Sequence, residues 1–419
     1  MPAESRLLLR HTLIESHMRN FANVFLILFF ADGFLSVLDE ISSLFGPVEP
    51  LSLFRMQVAS TVLFFAVLLY ICMWVDRRIP KRLFLPLILF PFAVPMLAWL
   101  IPALGESRIY SILMSLIQVG VPPMLIAQYR DGKEPGLTLP PWRFEGPVFG
   151  LKNTLLFTAA NVVALPVFLT LFTLSSADAW TNLNTAGFVR VAPGGLYMTE
   201  RVYKRGNQTV KLSGMIHVGE KGYYEDVTKG PVQGRTVVLA EGVTDRSQVL
   251  KNRFDYRKVA DFLGLASQEK MLFSGNVIDE KALDAARRPA GKGPDIVLAD
   301  TDLATFRPDT LLFLNQVGKE LGSHGSVADG VLSLNSWAEK NVTPKMYDVI
   351  REDILTRRNE VVLSYLDRAL KGYDTVVIPW GALHMKGIEA GVKERGFVLK
   401  EEKKRLGVDF KTIAEANKK

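Results

Sequence analysis

Cysteine and histidine are scarce in this chain. Of 419 residues, one is cysteine and five are histidine. Cys72 lies within an apolar run and has no partner, so an intrachain disulfide is excluded. No cysteine follows it, which removes thiol chemistry from the second half. The net charge is +7, but aromatic and basic residues do not interleave and no nucleic-acid-binding motif occurs. Nucleic acid is therefore not an expected partner. Long apolar runs are missing after residue 175. Residues 180–419 read as an ordinary soluble domain with enough chain to bury its own core.

The apolar residues, 48% of the chain, are concentrated before that point. Met56 to Val75, Leu83 to Leu104, Ile109 to Ala127 and Asn153 to Leu174 are runs of membrane-spanning length. Leu83 to Leu104 contains Pro86, Pro91, Pro95 and Pro102, so kinks are expected there. Phe21 to Leu38 is a fifth run, interrupted by Asp32, and a helix lying flat at the interface is its alternative. Asp32 has no partner visible in the sequence, and no transporter-like internal repeat is present.

Loop charges favour five spans. Arg6, Arg10 and Arg19 precede the first run. Arg77, Arg78, Lys81 and Arg82 separate the second and third. Arg130, Lys133, Arg143 and Lys152 separate the fourth and fifth. The intervening loops carry Asp39, Glu40, Glu49 and Glu106 with only Arg55 and Arg108. This alternation implies a cytoplasmic N-terminus and a C-terminal domain outside the inner (cell) membrane, periplasmic or extracellular. Four spans would also leave that domain outside. Ser175-Ser176-Ala177-Asp178-Ala179 has the small residues of a signal-peptidase site, but the preceding run is long for a signal segment, and a loop is the simpler reading.

The second half alternates strands and helices. Leu196 to Tyr203 and Gln208 to Met215 flank Lys204-Arg205-Gly206-Asn207 as a hairpin. Glu220 to Val232 could be helical. Arg235 to Ala240, Asp295 to Ala299 and Asp374 to Trp380 read as strands, with Phe397 to Lys400 as a short final one. Pro308 to Leu321, Met346 to Leu370 and Lys386 to Arg395 read as helices, and Ala285 to Gly293 as a loop. The expected architecture is a helical transmembrane region over 1–174, a linker over 175–187, and a soluble α/β domain over 188–419 with a mainly parallel central sheet.

Polar residues collect at the strand ends, where parallel sheets bind ligands. Gly214-Met-Ile-His217 ends one strand and Gly381-Ala-Leu-His384 ends another. Glu241-Gly242 follows a third strand, and Asp300 and Asp302 follow a fourth. Two histidines and a carboxylate can share acid/base work on a water or hold a divalent ion. Arg357-Arg358-Asn359 on the long helix offers a cation for an oxyanion. Each residue also has a bland reading. A strand-end histidine is commonly a structural hydrogen-bonder. Glu241 can cap a helix, Asp300 and Asp302 can cap or turn, and the arginine pair can be a solvated helix face. His324, in Gly-Ser-His-Gly, reads as a loop residue.

These residues resemble the TraB/PrgY/TIKI/GumN family, in the family's order: Gly214-Met-Ile-His217, Glu241-Gly242, Ala299-Asp300-Thr-Asp302, Arg358-Asn359 and Gly381-Ala-Leu-His384-Met-Lys-Gly387. The resemblance covers about residues 188–400, not the apolar half. That family is related to erythromycin-esterase-like and ChaN-like domains. The resemblance implies a hydrolase of amide or ester bonds, with His217 as base or metal ligand and Glu241 as its partner. Arg358 becomes the site arginine, with Arg357 as fallback, and His384 the second histidine. Gly214, Gly381, Asn359 and Asp302 become supporting positions. It further implies Mn, Co or Zn on His217, Glu241 and His384, with Asp300 as a further ligand, and a peptide or small-molecule substrate. The alternative it carries is a non-catalytic module that sequesters a peptide or haem at the membrane.

Overall fold

The structure is a computed structural model. It describes the chain outside residues 1–2, 45, 47–48, 106, 131–137, 229–234, 253–259, 261–262, 264, 268–274, 285–292, 324–325 and 417–419, and the backbone alone over 3–16. The loop expected at Ala285 to Gly293, all but its last residue, lies outside the described residues, as do His324 and the end of the helix expected at Glu220 to Val232. The chain divides into two units, Met1–Ser175 and Ser176–Lys419.

The first unit is helical: α1 (Ala3–Ser42), α2 (Glu49–Val75), α3 (Lys81–Leu100), α4 (Arg108–Tyr129) and α5 (Leu151–Thr185), the last running on into the second unit. Five described helices, His17–Ser42 within α1 and the whole of α2 to α5, are long and apolar enough to cross a membrane. Phe25, Phe29, Leu69, Met73 and Phe84 form the packed interior. Pro86, Pro91 and Pro95 stay inside α3, but Pro102 does not. Ile101 leaves the helical region at φ −123° and ψ 87°. A residue before proline is pushed out of the α region, so the run expected to reach Leu104 stops at Leu100.

The linker expected at 175–187 is also corrected. Helix α5 continues to Thr185, and Asp178 within it is buried. Its buried carboxylate accepts from Arg190 Nη2 at 2.7 Å and from the Val191 N–H at 2.7 Å.

The second unit is a mixed sheet with helices. Strands β1 (Val189–Ala192), β2 (Gly195–Arg205), β3 (Gln208–Met215), β4 (Thr236–Ala240), β5 (Asn276–Val277), β6 (Asp295–Leu298), β7 (Thr375–Gly381) and β8 (Val398–Asp409) are described. Their order is β1-β2-β3-β7-β4-β6-β5, with β8 pairing along β2. From β3 to β5 all pairs are parallel. The pairs of β2 with β1, β3 and β8 are antiparallel. The sheet expected to be mainly parallel is parallel from β3 to β5 and antiparallel around β2, where the expected hairpin of β2 and β3 forms. The short final strand is instead twelve residues long, Val398–Asp409, and its exposed Lys400, Glu401, Glu402 and Lys403 keep an edge from pairing with other chains.

Helices α6 (Pro308–Ser323), α7 (Val327–Asn341), α8 (Pro344–Arg351), α9 (Arg358–Ala369) and α10 (Ala382–Glu394) belong to the unit, with shorter helices at Lys221–Thr228, Glu280–Asp284 and Phe410–Ala416. β7 is a continuous β-branched run, as expected for a strand covered on both faces. Its Val376, Ile378 and Trp380 are fully buried with Leu212, Leu239, Leu366 and Met385. The helix expected over Met346 to Leu370 is interrupted by a π-helical turn, Glu352–Arg357, just before Arg358.

Candidate functional site

Strands β3, β7, β4 and β6 run parallel and end on the same side, so the residues after them converge. Glu241 leaves β4, Asp300 follows β6, and His384 lies in the first turn of α10 after Gly381. Arg358 enters from the start of α9.

Arg358 is the centre of this cluster and is buried, at 8% exposure. Its Nε donates to Asp300 Oδ1 at 2.9 Å, and its Nη2 to Asp300 Oδ2 at 2.7 Å. Nη2 also donates to Glu241 Oε1 at 2.8 Å, and Nη1 lies 3.1 Å from His384 Nε2. Four of the five N–H groups of a guanidinium are thus engaged. Burial alone would lower the Arg358 pKa, but the Asp300 and Glu241 carboxylates outweigh it and hold it above its usual value. The carboxylates also accept from the backbone. Glu241 Oε2 accepts from the Gly381 N–H at 2.6 Å, and Asp300 Oδ2 from the Gly242 N–H at 2.9 Å.

His384 is 4% exposed and its protonation is set by its neighbours. A guanidinium can only donate, so Nε2 accepts from Arg358. Nδ1 then carries the hydrogen and donates to Asn359 Oδ1 at 2.8 Å. Burial, then the Arg358 charge, push the pKa of His384 down to about 4. The ring is therefore neutral at neutral pH. Trp380 packs its ring edge-on against His384 at 5.2 Å and also lies 5.3 Å from the Arg358 guanidinium. Its indole N–H donates to the Leu239 carbonyl at 3.0 Å.

His217 sits differently. It occupies a bend just after β3 and is exposed. It is near enough for its charge to oppose protonation of His384. Gly214 packs tightly on Phe188, whose side chain a Cβ there would approach to 3.1 Å. Asp302 does not join the Arg358 cluster. It caps the turn Leu303–Thr305, accepting from the Ala304 N–H at 2.9 Å and from Thr244 Oγ1 at 2.6 Å. Arg357 also points elsewhere, to Asp353 at 3.3 Å. A cleft of about 590 Å³ opens beside Asp300, lined by Thr244, Asp302, Ile278, Leu298 and Tyr365 among others.

Sequence reasoning misses two contributors, Trp380 and Asp353, and gives Gly387 only as a motif position. Trp380 reads there only as the end of a strand. Gly387 lets Asn359 approach, since a Cβ there would stand 2.4 Å from Asn359 Nδ2. Asp353, fully buried, fixes the π-helical turn before Arg358 by accepting from Arg307 and from Thr310 Oγ1 at 2.7 Å. The only sequence signal for Asp353 is its place one turn before Arg358.

The donor set does not fit the divalent ion that the resemblance implies. The guanidinium of Arg358 already stands as the cation between Glu241 and His384, and it donates into the nitrogen that would ligate an ion. Among the described residues, no three His, Cys, Asp or Glu side chains converge as metal ligands. The chain matches no protein-family model, no curated protein and no solved structure.

Proposed function

We propose that the chain is a membrane-anchored hydrolase of the TraB/TIKI-like kind, whose sheet unit cleaves an amide or ester bond in a peptide or small molecule. The observation that carries this reading is the buried Glu241–Arg358–Asp300–His384 cluster, assembled from four separate segments at one end of parallel strands, with an exposed histidine at its edge. Buried charges are expensive, and the ordinary way to stabilise a sheet is an apolar contact.

In this reading His217 is the base. It takes a proton from a water as that water attacks the carbonyl carbon, and returns it to the leaving nitrogen or oxygen as the tetrahedral adduct collapses. His384 does not serve as a base near neutral pH, because its lone pair accepts from Arg358. It acts with Asn359 to orient the guanidinium. One N–H of Arg358 Nη1 remains for an oxyanion.

The alternating loop charges support a cytoplasmic N-terminus and a sheet unit outside the inner membrane, with five spans as the helices suggest. The test uses the full chain in lipid nanodiscs against peptide and ester libraries, beside His217→Ala. Turnover lost in the variant while substrate affinity is kept supports the hydrolase. Equal turnover in both would sink it.

A second reading is a non-catalytic module that sequesters a peptide or haem. It is favoured by one feature: the buried histidine of the pair is already committed within the protein. Binding that is lost in His217→Ala, with no turnover by the wild type, would support it. Stoichiometric Mn, Co or Zn that disappears in His217→Ala and His384→Ala would instead restore the metal-dependent version.

A further inference from the structure

The helical unit carries a buried group that the hydrolase does not use. Asp32 lies on α1, 7% exposed, ten residues from the end of the helix at Ser42. At a rise of about 1.5 Å per residue that is roughly 15 Å from the end. It faces Gln118, ten residues into α4. Gly33 permits this close approach, because a Cβ there would come within 2.9 Å of the Gln118 side chain. Ser36 and Ser115, one turn away on the same two helices, are buried as well.

The two oxygens of Asp32 are treated unequally. Oδ2 accepts from Gln118 Nε2 at 2.7 Å. Oδ1 is buried and has no hydrogen-bond partner among the described residues. The orientation of the amide is fixed by a second bond: Gln118 Nε2 also donates to the Phe29 carbonyl at 3.2 Å. So Gln118 offers Asp32 a donor and not another oxygen. A metal cation needs several ligands around it, and no group of three His, Cys, Asp or Glu side chains occurs here among the described residues. A bare carboxylate with one buried oxygen unmet is costly, and within a membrane more so.

The charged groups of the packed helices lie toward the helix ends. Arg55, on α2, is the one whose field reaches Asp32. It is held by Asp39 at 2.9 Å. Arg108, at the start of α4, is 3.8 Å from Glu40. Neither side chain is bonded to Asp32.

We propose that Asp32 is a proton-binding site in the helical unit. The proton, taken from solvent, bonds to Oδ1 and neutralises the carboxylate. Oδ2 becomes the carbonyl oxygen and keeps the Gln118 hydrogen bond. The site requires only the buried seam between α1 and α4, so it stands or falls independently of the hydrolase reading.

Infrared difference spectroscopy on the full chain in lipid nanodiscs tests it. The wild type at neutral pH should show a protonated-carboxyl C=O stretch that Asp32→Asn lacks. Gln118→Leu should keep that band and shift it to higher frequency, because the carbonyl loses its donor. Loss of the band on raising the pH of the wild type gives the same information should Asp32→Asn fail to fold. No Asp32 band at neutral pH, or a band unmoved by Gln118→Leu, would overturn the proposal.

Discussion

The two Gly-x-x-His copies look alike in the sequence and end differently. Gly214-Met-Ile-His217 carries its histidine out to a bend, exposed. Gly381-Ala-Leu-His384 turns its histidine inward at 4% exposure. The path of the backbone after each glycine makes the difference. Gly381 is both the last residue of β7 and the cap of α10, so His384 falls in a first helical turn over the strand ends. After Gly214 the chain stays extended through Met215 and then bends. One spacing therefore yields a buried, neutral hydrogen-bonding ring and an accessible one. An active site can use both: the first holds an arginine, and the second meets water.

The largest effect tests what the buried copy is for. Arg358→Ala leaves Glu241 and Asp300 without their cation, and breaking a buried ion pair typically costs about 3–5 kcal/mol. Chemical denaturation should record a loss of that order, and Arg358→Lys should not restore it, because a lysine cannot donate bidentately to Asp300. A loss under about 1 kcal/mol would mean the cluster is not what holds these strand ends.

Gly387→Ala comes next. Its new methyl collides with Asn359, and overpacking of this kind costs about 1–3 kcal/mol. Ring resonances of His384 should move with it, since Asn359 accepts from its Nδ1. Unchanged resonances would disconnect Asn359 from His384.

The buried histidine also sets a pH dependence. Its pKa lies at about 4, below the ordinary value of 6.5. Between these values the unfolded chain binds a proton that the folded chain does not. The His384 contribution is therefore full above pH 6.5, falls as the pH drops toward 4, and levels off below. Asparagine or glutamine at 384 should flatten that part of the stability–pH curve. An unflattened curve would assign the slope to other groups.

The smallest stability effect belongs to the exposed copy. His217→Ala should change stability by no more than about 0.5 kcal/mol, while abolishing turnover. A large stability loss would make His217 structural, and the contrast between the two copies would disappear.

Parts of this were legible in the sequence. The β-branched runs at Thr236–Ala240 and Thr375–Gly381 announced strands, because period and residue type encode burial directly. The polar residues at their ends could be gathered because parallel strands share a direction. The antiparallel hairpin of β2 and β3 was legible from its turn, but the remaining antiparallel pairing was not. The antiparallel strand Val398–Asp409 is mostly charged and exposed, so it has no apolar alternation to announce it. Nor was the π-helical turn, whose local sequence is helical and whose anchor, Asp353 to Arg307 and Thr310, spans 46 and 43 residues of chain.

By itself the sequence determined the division into an apolar helical half and a mixed half, and the residues available for chemistry. Hydrophobic length and side-chain type are local properties. Tertiary structure alone decided which of these residues share a charge. It set Arg358 between Glu241 and Asp300, made one histidine a neutral partner and left the other exposed, and gave Asp32 one partner for two oxygens. Burial and hydrogen-bond direction fix protonation and availability, and both depend on neighbours distant in the chain.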